Sequence, residues 1–214
     1  MNALFVTGAG TEIGKTYVSC ALLRDMRARG IACDVLKPVL SGFEPGEAHG
    51  SDAGLLLRAL GETLEPARLE KVSPWRYRAP LAPHMAAREE GRELPYEDVL
   101  AHCRARLAEA RDFLLVEGAG GVMAPLGDHV TNLDLIAALG APVLFVTGSY
   151  LGAVSHALTG LAVLKMRGCD VRAVIVNETA ESVGLEATLA MLRPHVEAAP
   201  LLSLSRGAQT LRLP

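Results

Sequence analysis

Cysteine is scarce and scattered: Cys20, Cys33, Cys103 and Cys169 form no C-x-x-C pair and no Cys/His run at zinc spacing. Neither a disulfide framework nor a metal knuckle is indicated, and reduced, mostly buried thiols are expected. No charge of one sign dominates, since 21 Lys+Arg face 24 Asp+Glu for a formal net charge of -3. That balance excludes a cationic nucleic-acid binder by bulk electrostatics and a highly charged disordered chain. No apolar run approaches the roughly 18 residues a membrane span needs, and Met1 leads into Ala3-Leu4-Phe5-Val6 without a basic leader. A soluble, cytoplasmic protein with no membrane and no nucleic-acid partner is expected. Fixed-period repeats, low-complexity tracts and linkers are also missing, so residues 1–214 are expected to form a single α/β domain.

What is present is a series of short apolar runs, at residues 3–7, 32–36, 113–116, 143–147 and 171–176. All are continuous instead of alternating, the pattern of strands covered on both faces. Helical patterns separate them, over 15–29, 96–111, 132–139, 151–166 and 181–192, and Gly30, Gly140 and Gly168 stand just past three of these. The alternation predicts an α/β fold, a doubly wound, mostly parallel sheet with helices on both faces. Residues 38–95 break the rhythm, showing only short helices around 52–60 and 84–90 among Pro and Gly breakers. A segment that long is functional or an insertion.

Val6-Thr7-Gly8-Ala9-Gly10-Thr11-Glu12-Ile13-Gly14-Lys15-Thr16 closes the first strand and opens the first helix, the context a phosphate-binding loop requires. Glycines let backbone N–H groups turn toward phosphate oxygens, and the helix N-terminus adds positive potential. Lys15 then reaches the β- and γ-phosphates and the Thr16 hydroxyl ligates Mg²⁺. Five residues separate Gly8 from Gly14 where the strict pattern has four, but the Gly-Lys-Thr ending and the strand-to-helix context remain. The plainer alternative, a turn that merely joins strand to helix, has no use for Lys-Thr at that point.

Lysine is rare, at positions 15, 37, 71 and 165 against seventeen arginines. A compact, flexible ammonium follows a moving phosphoryl group better than a rigid guanidinium, so Lys15 and Lys37 stand out, while Lys71 and Lys165 read as solvated surface. Lys37 ends the second strand and Glu117 follows the 113–116 strand, both at the C-terminal edge where open α/β sheets bind ligands. Thr16, Asp52 and Glu117 supply an oxygen set that suits Mg²⁺ beside ATP. For Asp52 the plainer reading is a first-turn helix carboxylate behind a Ser51 cap. Two lysines at one site favour synthesis chemistry over a nucleotide switch, which needs only the first.

Taken together, Gly8…Thr11-Glu12-Ile13-Gly14-Lys15-Thr16, Lys37-Pro38-Val39-Leu40-Ser41-Gly42, Ser51-Asp52-Ala53, Pro83-His84, Val116-Glu117-Gly118-Ala119-Gly120-Gly121, Leu151-Gly152…His156 and Val176-Asn177 resemble the dethiobiotin synthetase family, in order along the chain. The resemblance implies a P-loop NTPase fold and an ATP- and Mg²⁺-dependent enzyme of biotin biosynthesis. Such an enzyme closes the ureido ring of dethiobiotin from 7,8-diaminononanoate and CO₂ through a carbamate and a carbamic–phosphoric anhydride. It also implies catalytic roles for Lys37 and Lys15 and a substrate contact at Ser41. Nucleotide binding falls to Glu12, Ile13, Gly14, Lys15, Thr16, Asp52, Glu117, Gly118, Ala119, Gly120 and Asn177, the last at the adenine. The implied metal ligands are Thr16, Asp52 and Glu117. The family is a homodimer whose substrate carboxylate sits at a helix start of the partner, which makes Ser149, Tyr150 and Leu151 the candidates for that contact. An ordinary strand-to-helix loop is the alternative there, and His84 and His156 read as packing or hydrogen-bonding residues.

The 199–205 stretch resembles the family loop that borders the base but lacks its later Gly and Pro. Phosphates then dominate binding, which opens the site to nucleotides other than ATP. A partitioning-type ATPase is disfavoured because Gly10 stands where its extra lysine belongs, and a GTPase because the chain has no Asn-Lys pair. A cobyrinate-type amide synthetase normally carries a glutaminase domain for which 214 residues leave no room.

Overall fold

The computed structural model describes residues 3–110, 112–196 and 199–214. Met1, and Arg111 at the end of the expected 96–111 helix, lie outside these. In chain order the elements are β1 (Ala3–Gly8), α1 (Lys15–Ala28), β2 (Cys33–Leu36), β3 (Val39–Leu40), α2 (Asp52–Leu60), α3 (Pro66–Val72), β4 (Trp75–Arg76) and α4 (Pro83–Glu89). They continue with α5 (Tyr96–Glu109), β5 (Phe113–Glu117), α6 (Asn132–Leu139), β6 (Val143–Gly148), α7 (Ala153–Met166), β7 (Val171–Asn177), α8 (Leu185–Leu192) and β8 (Leu201–Leu204).

Six strands form one parallel sheet in the order β2-β5-β1-β6-β7-β8. Side chains of a strand point to alternate faces, so Ala3 and Phe5 of β1 enter one core and Leu4 and Val6 the other. The first core packs the sheet against α4–α8, and the second packs it against α1 and α2. This double cover explains the continuous apolar runs: every residue of β1 and β6 is buried.

Register then aligns the strand ends that matter. Val6 pairs with Glu117 on one side and Leu144 on the other, and Gly148 pairs with Asn177. The loop after β1 therefore lies centrally, with the ends of β5 and β2 to one side and those of β6 and β7 to the other.

Several boundaries depart from the sequence pattern for local reasons. The helix expected from 151 starts at Ala153, because Gly152 (φ 95°) reverses the chain there, and that expected from 181 starts at Leu185. Residues 201–204, read as a loop, pair with β7 from Val174↔Leu201 to Asn177↔Leu204. An edge strand of four residues is too short to show a period. In the 38–95 segment, α3 starts on Pro66, and β3 and β4 form a separate parallel pair. No helix among the described residues is long and apolar enough to cross a membrane.

Candidate active site

The loop between β1 and α1 is bent into a concave cradle. Glu12 (φ 59°) is the one described non-glycine residue with positive φ, and Gly14 (φ 90°) adopts the same left-handed region two residues later. Alternating backbone of this kind turns successive N–H groups toward one point, an anion nest. Buried Ile13 anchors the loop between them. Gly14 has no room for a side chain, since a Cβ there would lie 2.2 Å from Asn177 Nδ2. The Lys15 ammonium, almost fully buried, folds back to donate to the Gly10 carbonyl at 2.7 Å. Burial and, next, the charge of Lys37 lower its pKa to about 8.

Beside the cradle, Lys37 and Glu117 form a buried pair: Nζ lies 2.7 Å from Glu117 Oε1. The same ammonium reaches Asp52 Oδ2 at 2.9 Å and the Gly118 carbonyl at 3.2 Å. Thr16 Oγ1 donates to Glu117 Oε1 at 2.7 Å, and Ser19 Oγ donates to Oε2 at 2.6 Å. Burial works against charge on Lys37, but Glu117 and Asp52 outweigh it and raise the lysine above its ordinary range. Burial likewise opposes the Asp52 carboxylate, and Lys37 outweighs it, holding Asp52 below its ordinary range. The plainer reading of Asp52, a first-turn carboxylate behind a capped helix start, is what the structure shows: Ser51 Oγ caps α2 by accepting from the Gly54 N–H at 3.2 Å. The two carboxylates converge on one cation, and with the Thr16 hydroxyl they make a hard-oxygen set that fits Mg²⁺. A cavity of about 680 Å³ opens from Lys15, Thr16 and Asp52 past Lys37, Ser41, Ala119 and Gly120 to a wall formed by Pro80, Leu81, Ala82 and Pro83.

Residues 2–204 match a family model described as an AAA domain (AAA_26). The ATP-dependent dethiobiotin synthetase BioD of Caulobacter sp. (strain K31) is 52% identical over 97% of this chain and 89% of its own length. The enzyme of the same name from Phenylobacterium zucineum is 47% identical over 97% of this chain and 90% of its own. The chain belongs to the dethiobiotin synthetase family. Solved structures agree at the level of fold. The signal recognition particle receptor FtsY from Elizabethkingia anophelis has a TM-score of 0.55 at 13% identity, covering 99% of this chain and 61% of that one. The MinC:MinD cell division complex of Aquifex aeolicus gives 0.53 at 12%, covering 94% and 79%.

The remaining residues expected from the dethiobiotin synthetase resemblance sit on the β6–β7 side and do not line the cavity. Asn177, buried at the end of β7, donates from Nδ2 to the Ile13 carbonyl at 3.0 Å and leaves Oδ1 buried without a partner. Ser149 is buried in a hydroxyl cluster, donating to Ser182 Oγ at 2.7 Å and accepting from the Thr179 N–H at 3.1 Å. Tyr150 OH pairs with His156 Nδ1 at 2.9 Å, and Leu151 is 86% exposed. Sequence reasoning missed Ser19 and the 80–82 wall. Ser19 had a signal, lying one helical turn beyond Lys15 and Thr16 on the same face, whereas nothing local marks residues 80–82 as facing a site.

Proposed function

We propose that the whole chain works as one α/β unit, an ATP- and Mg²⁺-dependent dethiobiotin synthetase that joins 7,8-diaminononanoate and CO₂. The observation that carries this is the convergence of Lys15, Lys37, Thr16, Asp52 and Glu117 at one end of a cavity large enough for a small organic substrate. In this reading one amine of the diamine takes up CO₂ as a carbamate, whose oxygen attacks the γ-phosphorus while ADP leaves. The second amine then attacks the carbonyl carbon, and phosphate departs as the ureido ring closes.

The barrier is electrostatic, because an anionic carbamate must approach an anionic phosphate. Two like charges about 4 Å apart repel by roughly 4 kcal/mol at an effective dielectric near 20, so two lysines facing the site offset a repulsion of that size. Lys15 exchanges the Gly10 carbonyl for phosphate oxygens. Lys37, kept protonated by Glu117 and Asp52, holds the carbamate, and Ser41 contacts the diamine. When bound to Thr16, Asp52 and Glu117, Mg²⁺ supplies further neutralisation of phosphate charge. The unpartnered Asn177 Oδ1 is suited to accept a hydrogen bond from the exocyclic amine of adenine. No covalent nucleophile is needed.

The same reading makes the enzyme a cytoplasmic homodimer. Free cysteines fit a reducing compartment. Helix α7 buries Ala153, Ala157, Gly160 and Leu164 and half-buries Leu158, Leu161 and Val163 against the same core, while Leu151 just before it and Met166 at its end are exposed. Large exposed apolar side chains at both ends of one helix are the surface a second copy would cover, and that copy would bring Tyr150, Leu151 and the backbone of buried Ser149 to the carboxylate end of its substrate.

The test is phosphate release from MgATP and bicarbonate with and without the diamine, with the product weighed by mass spectrometry. Diamine-stimulated release and a product carrying one carbonyl in place of two hydrogens are expected. Slow, diamine-indifferent hydrolysis overturns the synthetase reading in favour of a nucleotide switch.

A further inference from the structure

The 80–83 wall of the cavity is held on one side by backbone bonds, from Gly42 N–H to the Ala79 carbonyl (3.0 Å) and Phe43 N–H to the Tyr77 carbonyl (2.9 Å). These tie it to the Lys37–Gly42 stretch. Its other side is α4, which follows directly and has no side-chain cap. Across the cavity lies the Gly118–Gly121 loop, continued by a small hairpin at 125–131 in which Leu126 and Gly127 N–H donate to the Val130 carbonyl. Asn132 welds hairpin to loop, since Nδ2 donates to the Ala119 and Gly121 carbonyls and its N–H to that of Ala124. Asp128, at the hairpin tip, meets α4: His84 Nε2 lies 3.1 Å from Oδ1, and Arg88 donates to both oxygens at 2.8 and 3.0 Å.

We propose that His84 is a positioning residue which, through Asp128, latches the two walls of the diamine cavity together. The inference rests on the synthetase reading of that cavity. Neither partner lines the cavity, but Pro83, adjacent to His84, does, as do Ala119, Gly120 and Ala124 of the facing loop. His84 Nδ1 is buried without a partner. A ring kept at that cost is retained for its other nitrogen. The His84 hydrogen bond, then Arg88, hold the Asp128 carboxyl below its ordinary range. Asp128 and Arg88 are both mostly exposed, where an ion pair adds little stability. The latch therefore constrains wall spacing more than it supports the fold. A loosened wall misplaces the diamine and admits water to the anhydride. Water then attacks it, phosphate leaves, and carbamate is returned without ring closure.

The whole enzyme is compared with His84→Ala, His84→Gln and Asp128→Ala for the KM of diamine, the KM of ATP, melting temperature, and phosphate released per dethiobiotin formed. The Ala variants are expected to raise the diamine KM about tenfold and release surplus phosphate, with the ATP KM moving less than about twofold. His84→Gln, which keeps a donor for Asp128, is expected to restore coupling. Unchanged constants in the Ala variants overturn the proposal, as does a fall in kcat with coupling intact and melting temperature lowered. If the parent enzyme itself ignores the diamine, the synthetase reading fails and this proposal with it; a diamine-dependent parent with unaffected variants refutes the latch alone.

Discussion

Lys37 is the residue on which the site turns. Its ammonium serves two carboxylates and a carbonyl at once, so it organises Asp52 and Glu117 as well as facing the cavity. Removing it leaves Glu117, fully buried, with only the Thr16 and Ser19 hydroxyls, a loss of about 3–5 kcal/mol for a broken buried pair. Lys37→Gln keeps a hydrogen-bond donor and discards the charge. It is expected to lower turnover at least about a hundredfold while ATP still binds. An ATP affinity reduced as far as that of Lys15→Ala would refute a catalytic role separate from nucleotide binding. Among single residues the sequence was a good guide to this cluster, because Lys37 and Glu117 each end a strand whose direction is fixed. It gave no hint that the same Lys37 would bridge Asp52 and Glu117, since contacts across 80 residues depend on register.

At the scale of elements, the phosphate loop combines a local and a long-range requirement. Its left-handed backbone is written in the sequence at Gly14 but not at Glu12, where no glycine marks it, and the space at Gly14 is set by Asn177, at the far end of β7. Gly14→Ala should weaken ATP binding by more than a factor of about ten, since its Cβ must displace Asn177 and its φ of 90° is strained for any side chain. Calorimetric titration with MgATP checks this, and an affinity equal to the parent's would show that the loop relaxes freely. Short elements were the least legible. The four-residue β8 and the two-residue β3 and β4 carry no usable period, and they exist because neighbouring strands offer them partners. Helices α7 and α8 start at Ala153 and Leu185, two and four residues inside their sequence patterns, because Gly152 and Gly184 turn the chain just before them.

For the whole molecule, the strand order β2-β5-β1-β6-β7-β8 divides the work of the site. Glu117 and Lys37 fall on one side of the phosphate loop, Asn177 and the Ser149–Leu151 turn on the other, which suits phosphates at the centre, diamine on one flank and base on the opposite one. The turn is not among the residues that line its own cavity, and the dimer proposed above is what would bring it to a partner's. Leu151→Glu places a charge on that exposed apolar surface and is expected to shift the protein toward monomer in sedimentation velocity. The diamine KM should rise and the ATP KM should not. A dimer that survives the change with an unaltered diamine KM would remove Leu151 from both roles.

The α/β class, the phosphate loop, the scarcity of lysine that marks Lys15 and Lys37, and the acids at strand ends are all readable without coordinates. All of these are local or periodic properties, carried by neighbouring residues and by the rule that strand ends share an edge. The support Ser19 gives Glu117, the wall that residues 80–83 build along the cavity, and the contact of Asn177 with Gly14 appear only once the chain is folded. Those facts depend on strand order and on how an irregular segment folds over the sheet, and both are fixed by packing between residues far apart in the chain.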